Sequence, residues 1–215
     1  MNSEKLKIAV LGGTGNIGEG MVLRLALQNL MPEGVKNEII IGSRSLETAE
    51  EAAKKALSEL ENCGFDTSGI KITGMNNFEA AKAAEMAILT IRFDHVLPLL
   101  EEIKETLENK IVISPVVPMV KEGSFMAYRP PAEGSAALAI QKNVPETTKV
   151  VAAFHNIPAG KLKDVVKCKA VHDALVCSDD EEAKKLVMEL TRHMGCLKPP
   201  LDGGPPLSRQ LPWNP

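Results

Sequence analysis

The sequence predicts an α/β fold: a Rossmann-like, doubly wound parallel sheet with a smaller C-terminal part. Two observations predict it. Short apolar runs alternate along the chain with longer segments whose apolar residues recur at helical spacing. The first of these runs also ends in a glycine-rich turn that opens directly into a helical segment. Alternating strands and helices are typical of parallel sheets, whose crossover helices cover both faces.

The first half of the chain begins with a buried-strand pattern at residues 6–11. Apolar residues then recur at helical spacing, at Met21, Val22, Leu25 and Ala26. Residues 38–42 predict the second strand, and Ser45 is the expected N-cap of an Ala- and Glu-rich helix that ends near residue 63. A weaker third strand is expected at residues 70–74.

The second half continues with predicted strands at residues 86–91 and 111–114, separated by a helix at residues 94–108. A long irregular connection follows, because Pro and Gly recur at Pro115, Pro118, Gly123, Pro130, Pro131 and Gly134. A short helix is expected at residues 135–142 and a sixth strand at residues 149–154.

Three features are predicted after the sixth strand. Residues 175–177 are a candidate for one more strand. The acidic segment at residues 178–182 is expected to cap a helix that runs to about Met194 and is stopped by Gly195. From Pro199 onward, Gly and Pro predict an extended tail.

The composition excludes several classes of function. With 44% apolar and 25% charged residues, the chain is an ordinary globular protein. A net charge of −3 and an aromatic content of five Phe, one Tyr and one Trp disfavour nucleic-acid binding. No apolar run is long enough for a membrane span or a secretory signal, so a cytoplasmic location is expected. The cysteines and histidines show no metal-ligand spacing, so no metal is expected.

A glycine-rich turn follows the first strand. Gly13-Thr14-Gly15-Asn16-Ile17-Gly18 matches G-x-G-x-x-G, in which the glycines reverse the chain, admit a pyrophosphate and let helix and strand pack closely. The helix N-terminus adds unpaired N–H groups and a partial positive charge. An ATP-type P-loop is excluded, because Glu19 stands where that motif needs lysine. A purely structural turn is the alternative, and the flanking strand and helix favour dinucleotide binding.

The residues that end the second strand indicate which dinucleotide is bound. NAD-binding enzymes usually place Asp or Glu there to hold the ribose hydroxyls, whereas this strand ends in Gly42-Ser43-Arg44. Ser43 can donate a hydrogen bond to a 2′-phosphate, and the Arg44 guanidinium can pair with its charge. The sequence therefore predicts NADP. The alternative is that Arg44 is a surface charge, although a cation at a helix start is slightly unfavourable without an anion.

Five segments carry a more specific pattern. They are residues 7–18, 41–44, 89–91, 114–118 and 155–159. In this order and with this spacing, they resemble the archaeal reductases that pass hydride between NADP and the deazaflavin coenzyme F420, and the likeness extends from about residue 6 to about residue 208. The resemblance implies NADP and coenzyme F420 as cofactors, with direct hydride transfer between carbon 4 of the nicotinamide and carbon 5 of the deazaflavin.

The resemblance also implies roles for individual residues. Residues 14–17 of the glycine turn would cradle the pyrophosphate, and Ser43 with Arg44 would bind the 2′-phosphate. His155 and Ile157 would lie beside the stacked rings as the catalytic residues. The path between adenosine and nicotinamide would be bordered by Ile91, His95 and Ala159. From spacing alone, His155 could equally be a core or surface histidine and His95 a surface residue. The lysines Lys161, Lys163, Lys167 and Lys169 could attract the phosphate and glutamate tail of coenzyme F420, but a solvated charged stretch is the interpretation that we favour.

The sequence departs from this family in ways that bear on function. Thr48 stands where a family lysine would add a second cation for the 2′-phosphate, which weakens the expected NADP preference. A long apolar helix near the C-terminus is missing, which could weaken the homodimer that the family commonly forms. We expect residues 1–155 to form the NADP-binding Rossmann domain and residues 156–215 a smaller part that completes the deazaflavin site. A ferric or imine reductase and a non-catalytic NADP sensor remain as alternatives.

Overall fold

The computed structural model describes residues 5–166, 172–194 and 197–204. Within these ranges the strands are β1 (Leu6–Leu11), β2 (Asn37–Ser43), β3 (Ile72–Asn76), β4 (Met86–Leu89), β5 (Ile111–Ser114), β6 (Met119–Glu122), β7 (Phe125–Tyr128), β8 (Lys149–Ala152), β9 (His172–Val176) and β10 (Leu197–Asp202). The α-helices are α1 (Asn16–Gln28), α2 (Leu46–Asn62), α3 (Asn77–Ala83), α4 (Val96–Ile103), α5 (Ala136–Lys142), α6 (Ala159–Lys163) and α7 (Glu181–Arg192). None of the helices in these ranges combines the length and apolar character that a bilayer span requires.

Six strands form one parallel sheet in the order β3-β2-β1-β4-β5-β8. The chain moves outward from β1 to β3, then returns to the other side of β1 with β4. Ligands of open α/β sheets bind at this switch point, outside the carboxyl ends of the strands. The predicted doubly wound parallel sheet is confirmed.

Alternate residues of each strand face opposite sides of the sheet, and each side is covered by helices. Ile8 and Val10 face a core that also contains apolar residues of α1, α2, α6 and α7. Ala9 and Leu11 face a second core, shared with α3, α4 and α5. Because both faces are buried, the strands are nearly continuous apolar runs, as the sequence shows.

Two predicted N-termini of helices are capped by side chains. The Ser45 hydroxyl accepts the Thr48 N–H at the start of α2, at 3.4 Å. At the start of α7, the Asp180 carboxylate accepts the Ala183 N–H at 2.8 Å. Hydrogen bonding, chiefly from the Ala183 N–H, lowers the pKa of Asp180. Helix α7 ends at Arg192, and the predicted stop Gly195 lies outside the described residues.

The connection after β5 differs from the prediction, because it contains the antiparallel hairpin β6–β7. A two-residue turn, Gly123-Ser124, joins the strands, and Gly123 has a φ of 61°. Glycine adopts such a positive φ without strain, and two-residue hairpin turns require it. The sequence does not predict this hairpin, because the prolines on both sides of it favour an irregular connection. Helices α3 and α6 were also missed, and the helix predicted at residues 94–108 is α4 flanked by two 3₁₀ turns.

The C-terminal elements pack against the main sheet. Strands β9 and β10 pair in parallel, and Cys177 forms an antiparallel bridge with Ala152 at the end of β8. Val187 of α7 belongs to the same core as Ile8 of β1. The strand predicted at residues 175–177 is therefore the end of β9 and this bridge. Part of the predicted tail is β10, and the rest of it, from residue 205, lies outside the described residues.

Candidate functional site

The glycine turn between β1 and α1 is fixed by hydrogen bonds from both neighbouring strands. The Gly12 N–H donates to the Gly42 carbonyl of β2 at 2.9 Å. On the other side, the Thr90 hydroxyl and N–H both donate to the Leu11 carbonyl, at 2.8 and 2.9 Å. Gly12 has a φ of 78°, so the residue that needs left-handed backbone is the one before the G-x-G-x-x-G motif.

Gly15 and Gly18 of this turn have different surroundings. A Cβ on Gly18 would lie 2.5 Å from the Gly12 carbonyl oxygen and from the Gly13 Cα, so Gly18 lets α1 pack against the turn. A Cβ on Gly15 would meet only the Gly12 and Thr90 oxygens, at 3.4 and 3.9 Å, and Gly15 is exposed. The space beside Gly15 is therefore open to a ligand.

Helix α1 begins without a side-chain cap, because its N-cap is Gly15. In the described part of the chain, the N–H groups of Asn16 and Ile17 donate no hydrogen bond. Free N–H groups and the partial positive charge of a helix N-terminus form a binding site for an anion. Thr14 is half-buried beside them and Asn16 is exposed.

At the end of β2, the predicted 2′-phosphate residues lie next to the glycine turn. Ser43 is 9% exposed, and its hydroxyl accepts the Ser45 N–H at 3.4 Å. Arg44 is exposed and forms no hydrogen bond or ion pair among the described residues. Thr48 lies in the first turn of α2, and its side chain is exposed. The guanidinium is thus available to an anion at this end of the sheet.

Ile91 and His95, after β4, have different surroundings. Ile91 is half-buried, and its Cγ2 atom occupies the space that a Cβ on Gly12 would need. Ile91 therefore borders the glycine turn. The His95 side chain is 65% exposed and lies 4.0 Å from the Asp94 carboxylate, which Arg92 also contacts. This position fits a surface residue at least as well as it fits a residue that borders the cofactor path.

The segment after β8 places His155 at the same edge of the sheet. Phe154 is buried and has a φ of 65°, an unusual value for a bulky residue, and its carbonyl accepts the Ile157 N–H at 3.1 Å. The chain turns sharply here, with Ile157 also buried. Burial lowers the pKa of His155 from its usual 6.5, so the imidazole is neutral near pH 7. Strained backbone of this kind is concentrated at functional sites.

Buried polar atoms without partners mark the same edge. Among the described residues they are His155 Nδ1, Asn156 Oδ1 and Asn77 Oδ1. Asn77 directly follows β3, and its oxygen lies 2.9 Å from where a Cβ on Gly42 would be. Buried polar groups are normally hydrogen-bonded, so these atoms are exceptions, and each is enclosed by the protein itself. Sequence reasoning missed Asn77 and Asn156, since nothing in their spacing predicts an unpaired atom.

Helix α6, which begins at Ala159, is fastened to α1 by Arg24. The Arg24 side chain is 1% exposed and donates to the carbonyls of Leu162, Lys161 and Asp164 at 2.9, 3.0 and 2.6 Å. Gly20 allows the close approach, because a Cβ there would lie 2.5 Å from Leu162 Cβ. Sequence reasoning also missed Arg24, although an arginine among the apolar residues of α1 was a signal.

A glycine turn with free N–H groups, an exposed guanidinium at the end of β2 and a doubly wound sheet define a dinucleotide-binding protein of the Rossmann type. More particularly, residues 7–118 match the family described as NADP oxidoreductase, coenzyme F420-dependent. The chain belongs to this family.

Two named relatives and one solved structure are similar to this chain over most of its length. The F420-dependent NADP reductase of Methanocaldococcus jannaschii is 41% identical over 194 residues, which cover 88% of this chain and 80% of the relative. The enzyme of the same name from Methanothermobacter marburgensis is 39% identical over 195 residues, with the same two shares. A crystal structure provisionally named as an F420-dependent NADP reductase from Arthrobacter sp. FB24 has a TM-score of 0.71 and 25% identity, covering 93% of this chain and 85% of that one.

Proposed function

We propose that this chain is an oxidoreductase that transfers a hydride directly between NADP(H) and coenzyme F420. One observation carries the proposal: relatives named for this reaction are 36–41% identical over 88% of the chain. That share includes the segment around His155 as well as the dinucleotide-binding half. The fold supports the proposal, because both segments lie at the carboxyl edge of one parallel sheet.

The surroundings of the glycine turn fit NADP. The pyrophosphate would lie beside Gly15, against the free N–H groups of Asn16 and Ile17, with Gly13, Thr14 and Gly18 shaping the turn. Arg44 and Ser43 would bind the 2′-phosphate. The exposed Thr48, in the first turn of α2, would add a hydrogen bond to the same phosphate. The exposed Arg44 guanidinium has no partner among the described residues and lies next to the first turn of α2. This supports the assignment, because an anion there would interact favourably with the guanidinium and with the helix N-terminus.

The surroundings of His155 fit the second ring system. Strands β1 and β8 are three strand spacings apart, or roughly 14 Å. A dinucleotide that starts at the glycine turn and passes Ile91 would therefore extend toward His155, Ile157 and Ala159. His155 and Asn156 are half-buried at this end of the sheet, so parts of both residues are open to a ring there.

The catalytic contribution of the chain is alignment. When bound, the nicotinamide and the deazaflavin supply the hydride chemistry themselves. The residues of the chain would bind the two rings, exclude water and hold the reacting carbons close together, and a separation of about 3–3.5 Å is typical of such reactive arrangements. Buried Ile157 provides an apolar surface, and the neutral His155 provides a hydrogen-bonding group that orients a ring without adding charge.

The test is to mix the purified protein with NADPH and oxidised coenzyme F420 and to follow the deazaflavin absorbance. We expect its loss at a rate proportional to enzyme concentration. Turnover with a ferric or imine acceptor, but not with F420, would support the alternative reductase. Tight NADP binding without turnover on any acceptor would support a sensor.

We also propose a homodimer in the cytoplasm, by likeness to the family. Light scattering coupled to gel filtration measures the assembly directly, and a monomer at micromolar concentration contradicts the dimer.

A further inference from the structure

Lys163 of α6 contacts the first turn of α1. Its ammonium group donates to Asn16 Oδ1 at 3.1 Å and forms an ion pair with Glu19 Oε2. The other carboxylate oxygen of Glu19 accepts from Lys55 of α2 at 2.9 Å. Glu19 therefore lies between two lysines, and of these two Lys163 alone contacts Asn16. Lys163 is not part of a freely solvated stretch, since its side chain is 30% exposed, against 64% for Lys55.

The chemistry of the Lys163 contact fixes the orientation of the Asn16 amide. An ammonium group can only donate, so the atom it contacts must be the amide oxygen. The amide NH₂ of the exposed Asn16 then points away from Lys163 and has no partner among the described residues. Asn16 lies next to Gly15, where the first-turn N–H groups are also free. An additional donor is thus held beside a site already suited to an anion.

Glu19 fixes the ammonium group of Lys163 beside Asn16. Burial raises the pKa of Glu19, but hydrogen bonds from Lys163 and Lys55 outweigh it and leave that pKa below its usual value. The carboxylate is therefore ionised, and its ion pair with Lys163 holds the ammonium group where it also donates to Asn16 Oδ1.

Helix α6 is held firmly enough to act as a support for Lys163. The buried Arg24 donates to the Lys161 and Leu162 carbonyls of α6 and to the Asp164 carbonyl just after it, and Gly20 lets Leu162 pack closely against α1. Rotation of the Asn16 amide would present an oxygen to the ligand and lose the bond to Lys163.

We propose that Lys163 is a positioning residue for the pyrophosphate of NADP, which acts through Asn16. The inference rests on the proposed dinucleotide site, but not on the identity of the hydride acceptor. It assigns to α6, the helix that follows His155, an indirect role in the NADP-binding half, through Asn16.

The experiment compares Lys163→Met with the matched control Lys55→Met, which removes the other lysine of Glu19 without touching Asn16. Calorimetry measures the binding of NADP⁺ and of adenosine 2′-monophosphate, which has the 2′-phosphate but no pyrophosphate. For Lys163→Met we expect about tenfold weaker NADP⁺ binding, the size of one charge-assisted hydrogen bond. Its affinity for adenosine 2′-monophosphate, and both affinities of Lys55→Met, should stay within about twofold of wild type.

Two further variants separate positioning from simple stability. Lys163→Arg keeps the donors and the charge and should recover most of the NADP⁺ affinity. Adding Lys163→Met to Asn16→Ala should cause little further loss, because residues that act as a unit are not additive. Thermal unfolding establishes that each variant is folded.

The outcomes distinguish this inference from the proposed function. Provided that the wild-type protein binds NADP⁺, three results would each overturn the positioning role alone. They are equal weakening of NADP⁺ binding by Lys163→Met and Lys55→Met, a parallel loss of adenosine 2′-monophosphate binding in Lys163→Met, and an NADP⁺ affinity of Lys163→Met equal to that of the wild type. Failure of the wild-type protein to bind NADP⁺ would overturn the dinucleotide site itself.

Discussion

Replacing Gly15 by valine should abolish NADP binding while the fold survives. The φ of Gly15 is −88°, which any residue adopts, and the nearest atoms to an added Cβ are oxygens at 3.4 and 3.9 Å. The fold should therefore lose no more than about 1 kcal/mol, the usual cost of a poor N-cap. The branched side chain would occupy the space beside the free N–H groups of α1, so the pyrophosphate could not approach them.

Gly18→Ala is the matched control, because its effect should be the reverse. The new Cβ would lie 2.5 Å from backbone atoms of Gly12 and Gly13, which cannot move aside as a side chain would. Overpacking of this kind costs about 1–3 kcal/mol, which lowers the melting temperature of a protein of this size by roughly 2–12 °C. Gly18→Ala should thus lose stability first, whereas Gly15→Val should lose the ligand first.

Thermal unfolding with and without NADP⁺ measures both effects. Ligand at about 100 times Kd stabilises the native state by about 2.7 kcal/mol, which raises the wild-type melting temperature by roughly 5–10 °C. Gly15→Val should melt near the wild-type temperature without ligand and show no rise with it. If the folded variant still binds NADP⁺ with wild-type affinity, the pyrophosphate lies elsewhere and our assignment of the glycine turn is wrong.

Three other predictions concern the two ends of the site. Arg44→Ala should weaken NADP⁺ binding about tenfold to a hundredfold and leave NAD⁺ binding nearly unchanged in calorimetry, because a charge-assisted hydrogen bond contributes roughly 1.5–3 kcal/mol; equal losses would refute the 2′-phosphate assignment. His155→Ala should slow hydride transfer or weaken F420 binding by about tenfold with NADP⁺ affinity intact, whereas a loss of 10²–10⁴ that follows the histidine's titration would indicate general acid catalysis. The lowered pKa of His155 means that the unfolded chain binds its proton more readily, so stability in urea should fall as the pH drops below 6.5, and His155→Gln should reduce that pH dependence.

The sequence predicts those elements whose signal is local and repeated. Strand β1 is apolar except for Lys7, and the glycine-rich turn that follows it is typical of a strand-to-helix connection. The six-stranded sheet follows from alternating runs of this kind. Helices α3 and α6 have only seven and five residues, so no apolar residue recurs often enough to show a helical period. They form because tertiary contacts hold them, as Arg24 holds α6.

The candidate site is predicted less completely than the fold, because part of it depends on contacts between distant segments. The residues of the glycine turn and of the β2 end follow from their place in a known motif. The left-handed backbone of Phe154 does not, since a bulky residue rarely adopts a positive φ. The contact between Lys163 and Asn16 joins residues 147 positions apart, which no local pattern shows.

Helix α1 connects the two halves of the site and explains why they can be aligned. Its first turn has N–H groups without partners among the described residues, where we propose that the pyrophosphate binds, and two turns later Arg24 fixes the backbone of α6. Because α6 begins only four residues after His155, the position of the imidazole relative to the glycine turn is set by this packing and by the spacing of the strands. A reaction that depends on placing two rings within a few tenths of an ångström requires a rigid connection of this kind. Arg24 is buried in this contact, so a substitution there would loosen the connection between the glycine turn, Lys163 and His155 at once.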